Sequence, residues 1–158
     1  ESTMEEQGFR VEMALSGGYE IEVDFGLPGV DTLTVDEPPP LGGGEGPNPA
    51  RLLGAAVGSC MSASLLYCLR RAHLDPAALH TRVQGTLVRN ERGRLRVGAL
   101  RVTLRPGLGP EEAERAARCL ELFEDFCIVG QSVQAGIPLE VRVEPAVLDE
   151  TPEPAAVA

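Results

Sequence analysis

The chain has 158 residues, of which 43% are hydrophobic and 24% charged, so it can bury one sizeable core and favours a single domain. This composition excludes a wholly disordered chain, and the sequence has neither a collagen-like glycine period nor sustained coiled-coil heptads. Its 14 basic residues are all arginine against 24 acids, and the net charge of −10 argues against nucleic acid as a general partner.

The charge is distributed unevenly along the chain. Residues 51–108 contain ten arginines and two acids, whereas residues 1–50 and 109–158 each contain eleven acids and few arginines. The basic centre is compatible with an RNA-binding hairpin. However, acidic and basic segments that pack on one another, within or between subunits, explain the pattern without a further partner, and we favour that interpretation.

The first half of the chain predicts three strands and a long helix. Alternating apolar residues predict a hairpin from Phe9 to Phe25, and a short third strand follows at Leu33–Val35. The next residues, DEPPPLGGGEGP, are too rich in proline and glycine for regular structure. Asn48 followed by Pro49 then predicts the start of a helix that extends to about His73.

This helix has 18 consecutive uncharged residues between Arg51 and Arg70, enough to approach the thickness of a bilayer. Its serine, glycine and alanine content makes it weakly hydrophobic, so we favour a buried central helix of a soluble core over a membrane span. The acidic start of the chain does not resemble a signal peptide, and Glu1 in place of Met suggests a trimmed start. We therefore expect a cytoplasmic protein with no membrane partner.

The second half predicts two strands, a helix and a last strand. Apolar residues alternate over 79–87 and 95–104, and a change of parity near Gly98 predicts a β-bulge. A helix is predicted from Pro110 to Cys127, with Cys127 facing the core at the last turn and Gly130 stopping the helix. The last strand is predicted at Ile137–Val143. The order β-β-β-α-β-β-α-β indicates an α+β domain over residues 1–144, followed by a disordered tail at 145–158.

The most promising candidates for reactive residues in the chain are its four cysteines, Cys60, Cys68, Cys119 and Cys127. They form no C-x-x-C pair and the chain has only two histidines, so no zinc site of recognisable spacing is expected. Within each predicted helix the two cysteines lie about 12 Å apart, so any disulfide must join the two helices. Cys60 lies among small residues, and Cys127 lies at a helix end that could move. This arrangement fits a peroxidase that uses two cysteines. Ordinary buried core cysteines remain the alternative.

Two segments carry a family resemblance. Residues 36–60 read DEPPPLGGGEGPNPARLLGAAVGSC, and residues 126–143 read FCIVGQSVQAGIPLEVRV. In this order, and on these predicted elements, they resemble the OsmC/Ohr family of osmotically inducible and organic hydroperoxide resistance proteins, over about Phe9 to Val143. The resemblance implies an intertwined homodimer with both active sites at the interface and each central helix buried by two subunits.

The resemblance also implies a mechanism. Cys60 would be the peroxidatic cysteine, which reduces an organic hydroperoxide and becomes a sulfenic acid, and Cys127 the resolving cysteine, which captures it as a disulfide. A cellular dithiol, such as a lipoylated protein, would reset the pair. No metal or organic cofactor is required for the peroxide step. Under this interpretation Cys68 and Cys119 are expected to remain reduced.

The sequence departs from the family in the groups that support the thiolate. The family's peroxidases use an N-terminal arginine together with a glutamate just after the helix-opening proline, where this chain has Ala50. Arg51 is nine residues from Cys60 and on the opposite helix face, so it cannot serve its own Cys60. Arg10 is the only cation upstream, and a partner subunit could supply it, although a solvated hairpin arginine is an equally good interpretation. Glu45 is a candidate to replace the carboxylate.

Two functions therefore remain open. The first is a thiol-dependent peroxidase that reduces organic hydroperoxides through Cys60 and a Cys60–Cys127 disulfide. The second is an OsmC-like dimer that binds a small apolar ligand or a sulfur species with little turnover. The missing glutamate favours the binder, whereas both cysteines in their expected segments favour the enzyme.

Overall fold

A computed structural model describes residues 7–145 of the chain. Three strands, β1 (Glu12–Gly17), β2 (Glu20–Asp24) and β3 (Leu33–Val35), form an antiparallel sheet in the order β1-β2-β3. The predicted hairpin and third strand are confirmed. The sheet leaves much of the hairpin's apolar surface uncovered within the subunit, since all of β1 is exposed.

The long helix α1 (Pro49–Arg71) begins where the sequence predicts. The Asn48 side chain accepts a hydrogen bond from the Arg51 N–H at 3.0 Å, and Pro49 occupies the first turn. The helix ends slightly before the predicted His73, because His73 has a φ of 59°, which a right-handed helix cannot contain.

Strands β4 (Leu79–Arg89) and β5 (Leu95–Pro106) form a separate antiparallel hairpin. Thr86 pairs with Ala99 and Leu87 pairs with Val97, so Gly98 is the extra residue of a β-bulge, as predicted. A Cβ atom at Gly98 would lie 2.7 Å from Val88 Cγ2. Glycine is therefore required here by the close approach of the two strands.

The helical segment after β5 is not one helix. It consists of α2 (Pro110–Leu122), a 3-10 turn at Phe123–Phe126, and α3 (Ile128–Ala135). The prediction of a helix continuing to Cys127 is wrong, and Gly130 lies in the first turn of α3 rather than stopping α2. The physical reason is local. The Cys127 side chain accepts a hydrogen bond from the Gly130 N–H, and this bond caps the start of a new helix where α2 would otherwise continue.

The last predicted strand is not formed in the subunit. Residues 136–145 have no regular structure, and Leu139, Val141 and Val143 are each at least 80% exposed. The alternating pattern of a strand is present, but within residues 7–145 no neighbouring strand pairs with this segment. From residue 146 onward, the predicted tail at 145–158 lies outside the described residues.

The core forms where α1 meets α2. Its buried residues come from the second half of α1, the turn that follows it, α2 and the 3-10 turn: Leu65, Leu69, Leu74, Ala116, Cys119 and Phe123. On another side, α1 packs on β4 through small residues, since Gly54 and Gly58 lie against Val83. The fold is therefore α+β, with α1 as its central element.

Helix α1 is the one helix in the described range that is long and apolar enough to cross a membrane, with a mean hydropathy of 1.7 over 18 residues. The core helix of a soluble protein has the same length and composition, so this is weak evidence for a span. Only 28% of the 18-residue window is buried within the chain. The predicted burial of the central helix is thus partial in one chain.

Candidate active site

The structure brings Cys60 and Cys127 together. Cys60 lies in the middle of α1, Cys127 is the N-terminal capping residue of α3, and each side chain affects the pKa of the other. Both are free thiols. Cys60 is half-buried, whereas Cys127 is only 1% exposed. A small molecule in solution can therefore reach Cys60 but not Cys127.

A glycine allows this close approach of α3 to α1. A Cβ atom at Gly130 would lie 2.9 Å from Cys127 Sγ and 3.0 Å from the Met61 side chain. Such distances are too short for a side chain to fit without displacing α3. Gly130 therefore permits the contact between the two thiols by letting the backbone of α3 reach the side chains of α1.

The beginning of α3 directs backbone N–H groups at the two sulfur atoms. The Val129 N–H donates to Cys60 Sγ at 3.4 Å, and the Gly130 N–H donates to Cys127 Sγ at 3.3 Å. The first N–H groups of a helix have no partner within the helix and carry partial positive charge. They therefore favour a negative charge on a nearby sulfur.

The two thiols titrate differently as a result. Burial raises the pKa of Cys60, but the N–H groups of Val129, Gly130 and Ile128, together with the Cys127 side chain, outweigh it and lower the pKa below its ordinary value. Burial and the neighbouring Cys60 raise the pKa of Cys127, against the lowering effect of the Gly130 N–H. Cys60 is thus the more acidic thiol of the pair, and Cys127 is the less acidic one.

The predicted charged supports of the thiolate are not found at Cys60 in this subunit. Arg10 is exposed and its guanidinium lies 4.0 Å from the carboxylate of Glu12. Glu45 is exposed, and its backbone N–H donates to Asp36. Over residues 7–145, the groups that lower the pKa of Cys60 are amides and a thiol, with no arginine among them. The role of Arg10, contributed by a second subunit, stays a prediction.

The expectation that Cys68 and Cys119 remain reduced is wrong. The structure joins them by a disulfide between α1 and α2, with their Cα atoms 5.7 Å apart. The reason is topological, because α2 runs antiparallel to α1 and so places Cys119 beside Cys68 when Cys127 is beside Cys60. The sequence signal was the equal spacing of eight residues within each pair, and the general prediction that a disulfide must join two helices is confirmed.

An open, mainly apolar cavity of about 270 Å³ lies close to the thiols, and neither Cys60 nor Cys127 is among its lining residues. Met61 and Gly130, which adjoin the two cysteines, are part of its lining. Its other lining residues belong to α1, β5 and α3, among them Leu53, Val57, Val97 and Val133. Gln134 is a polar residue of its lining. The cavity fits an apolar group of modest size next to the cysteine pair.

Sequence reasoning missed the beginning of α3 as part of the site. The sequence contains a signal for it, because Gly136 is the kind of residue that typically ends a helix. Its φ is 79°, and it ends the helix that contains Gln131, Ser132 and Ala135. These residues indicate a short helix that starts at Cys127 rather than one that ends there.

Comparison with known proteins supports the same fold. The OsmC-like protein of unknown function from Vibrio cholerae O1 biovar eltor str. N16961 is 15% identical, with a TM-score of 0.65 over 82% of this chain and 95% of that one. The organic hydroperoxide resistance protein OhrB of Bacillus subtilis is 19% identical, with a TM-score of 0.59 over 81% and 91%.

An organic hydroperoxide resistance protein from Elizabethkingia anophelis is 21% identical, with a TM-score of 0.59 over 85% of this chain and 91% of that one. No curated protein matches the sequence. The family model described as "OsmC-like protein" matches residues 42–142, which include both Cys60 and Cys127. By that match, and by the fold it shares with these structures, the chain belongs to the OsmC family.

Proposed function

We propose that this protein is a thiol-dependent peroxidase that reduces organic hydroperoxides. The observation that carries the proposal is the pairing of two free thiols with opposite pKa shifts, lowered at the accessible Cys60 and raised at the buried Cys127. A nucleophilic thiolate that the substrate can reach, beside a protonated thiol that it cannot, is the arrangement that two-step peroxide reduction needs.

The chemistry has two steps. The Cys60 thiolate attacks the O–O bond of the hydroperoxide, an S–O bond forms, and the alkoxide leaves as the alcohol after taking a proton. Cys60 is now a sulfenic acid. The Cys127 sulfur then attacks the Cys60 sulfur, water leaves, and a Cys60–Cys127 disulfide remains. A dithiol, such as a cytoplasmic lipoylated protein, reduces this disulfide by thiol–disulfide exchange and completes the cycle.

The apolar cavity supports an organic rather than an inorganic peroxide. A hydrocarbon group that enters it would be removed from water at Leu53, Val57 and Val97. Burial of two methylene groups is worth about 1.6 kcal/mol, or roughly tenfold in rate if the transition state retains the contact. Cumene hydroperoxide should therefore oxidise Cys60 at least about tenfold faster than hydrogen peroxide.

The experiment is a titration of the reduced protein with stoichiometric cumene hydroperoxide, followed by peptide mapping without reductant. Wild type should form the Cys60–Cys127 disulfide. Cys127→Ser should stop at the Cys60 sulfenic acid, which a dimedone probe traps, and Cys60→Ser is the control in which Cys127 should remain a free thiol. If Cys60 stays a free thiol while the peroxide persists, the protein is not a peroxidase.

A binding function is the second candidate, and two observations favour it. Ala50 replaces the family's glutamate, and Arg10 makes no contact with Cys60 in this subunit. The same cavity would then hold a small apolar ligand without turnover. The titration separates the two candidates, because a binder would leave Cys60 reduced while an apolar probe such as cumyl alcohol occupies the cavity.

A further inference from the structure

We propose that the Cys68–Cys119 disulfide is a clamp that positions Cys127 for capture of the Cys60 sulfenic acid. This inference rests on the proposed peroxidase function and assigns a role to a pair of cysteines outside the reacting pair. Cys68 and Cys119 are positioning residues in this scheme, because they touch neither the substrate nor the reacting sulfur atoms.

The geometry of the two pairs carries the inference. Cys68 follows Cys60 by eight residues on α1, and Cys119 precedes Cys127 by eight residues on the antiparallel segment. The disulfide and the reacting thiols therefore form two links between the same two segments. They are separated by about 12 Å along α1, too far for direct exchange between the pairs.

The segment that carries Cys127 has few other polar attachments to α1. Ala116, Cys119 and Phe123 pack on Leu65 and Leu69. Beyond this apolar contact, the Arg115 guanidinium donates to the Ala72 carbonyl at the end of α1, at a long 3.4 Å, and the Val129 N–H after Cys127 donates to Cys60 Sγ at 3.4 Å. No salt bridge within residues 7–145 joins α2 to α1. The disulfide is thus the strong link that fixes α2 along α1.

Between Cys119 and Cys127 the chain leaves regular α-helix. The last turn of α2 passes into the 3-10 turn Phe123–Phe126, and Cys127 itself is extended, with φ −79° and ψ 98°. Such a junction permits movement of Cys127 relative to α1. A covalent link at Cys119 limits that movement and raises the effective concentration of the Cys127 thiol at Cys60.

The clamp forms by oxidation of two thiols, and a hydroperoxide is a sufficient oxidant. One of the two thiolates attacks the O–O bond, the alcohol leaves, and the second thiol displaces water from the resulting sulfenic acid. One hydroperoxide thus becomes one alcohol and one water for each disulfide. Cys119 is 6% exposed and lies in the core, so the finished bond is protected from external dithiols.

The first measurement is a thiol count on the full chain, isolated without reductant. We expect two alkylatable thiols in denaturant, Cys60 and Cys127, and a mapped Cys68–Cys119 disulfide. After hydroperoxide no free thiol should remain, and a small dithiol applied to the folded protein should restore only Cys60 and Cys127. Four free thiols at the start, or a Cys68–Cys119 bond that the dithiol reduces as fast as Cys60–Cys127, would overturn the clamp.

The second measurement is the fate of Cys60 in variants without the clamp. In Cys68→Ser, and in Cys68→Ala with Cys119→Ala, excess cumene hydroperoxide should convert at least about threefold more Cys60 to sulfinic acid per disulfide formed, because capture by Cys127 is slower. The single variant removes the bond at the half-buried cysteine and leaves the core cysteine in place, so it keeps the test available should the double variant not fold.

The matched control is Leu74→Ala, which opens the same core cluster but leaves the disulfide intact. It should lower thermal stability without changing the ratio of sulfinic acid to disulfide. An equal ratio in wild type and the clamp variants, or the same increase in Leu74→Ala, would refute the positioning role while leaving the peroxidase proposal standing. Absence of the Cys60–Cys127 disulfide in wild type would refute both.

Discussion

At the scale of single residues, backbone amides are the main groups that lower the pKa of Cys60. Among residues 7–145, the N–H groups at the start of α3 lower its pKa, and the arginine side chains do not contribute. A backbone donor is fixed by the helix it begins, so it loses little conformational entropy when it binds a thiolate. This arrangement lowers the pKa of the Cys60 thiol without an acid at position 50 to hold an arginine.

The contribution of one amide can be measured by its removal. Val129→Pro deletes the N–H that donates to Cys60 Sγ, at a helical first turn where proline is tolerated. A hydrogen bond to a charged group is worth about 1.5–3 kcal/mol, so the pKa of Cys60 should rise by about one unit or more. The midpoint of iodoacetamide alkylation against pH should shift upward accordingly.

The control for this variant is Val129→Ala, which shortens the side chain but keeps the amide. Its alkylation midpoint should stay at the wild-type pH, below the ordinary pKa of a cysteine thiol. Coincident midpoints for the proline variant and wild type would show that this hydrogen bond does not stabilise the thiolate.

At the scale of elements, the loop between β3 and α1 is organised around Asp36. This carboxylate is 2% exposed and accepts backbone N–H groups from Glu37 at 2.8 Å, Gly43 at 3.1 Å and Glu45 at 3.0 Å. The Glu45 N–H is the largest influence that lowers the pKa of Asp36 below its usual value. One side chain thus replaces the regular hydrogen bonds that the glycine-rich loop lacks.

The loop places the start of α1, so loss of the Asp36 charge should weaken the fold. A carboxyl whose pKa is lower in the folded state stabilises the protein above its unfolded pKa, and this stability is lost as pH falls through the folded pKa. Asp36→Asn should therefore lower the melting temperature at pH 7, and the difference from wild type should shrink in acid. Thermal unfolding followed by circular dichroism at several pH values measures both effects.

Asp31→Asn is the matched control, because Asp31 is exposed in the same part of the chain. It should leave the melting temperature nearly unchanged. A melting temperature for Asp36→Asn that equals wild type at pH 7 would contradict the organising role of this carboxylate.

At the scale of the whole molecule, one subunit leaves much apolar surface in water. Phe9 is 96% exposed, and Leu139 and Val143 are 89% and 85% exposed. Residues 139–143 alternate apolar and charged side chains without a partner strand in the described chain, and α1 has only five buried residues: Gly54, Val57, Gly58, Leu65 and Leu69. A second copy that covers these surfaces is the simplest way to remove them from water, so we propose the homodimer that the family resemblance implies.

The proposed homodimer predicts the mass of the particle in solution and the surface through which the two copies associate. Sedimentation at micromolar concentration should give a particle of twice 16.8 kDa. Leu139→Glu should weaken the association, since it places a charge on the apolar side of the unpaired segment, whereas Arg142→Gln on the other side should not. A stable, folded monomer in wild type would exclude a site shared between subunits.

The sequence by itself determined most of the elements. Apolar alternation located β1, β2, β4 and β5, Asn48 and Pro49 located the start of α1, and the change of parity located the bulge at Gly98. These features depend on local pattern and on backbone preferences, which a sequence displays directly. The two segments that resemble the OsmC/Ohr family also singled out Cys60 and Cys127.

The tertiary structure decided which cysteines lie together and which are joined by a disulfide. Whether α2 continues to Cys127 or yields to a new helix depends on what the Cys127 sulfur can accept, which no periodicity in the sequence encodes. The joining of Cys68 to Cys119 and the aim of the Val129 amide at Cys60 both follow from α2 and α3 packing antiparallel on α1. Contacts between residues more than fifty positions apart arise from packing, so they appear only when the chain is folded.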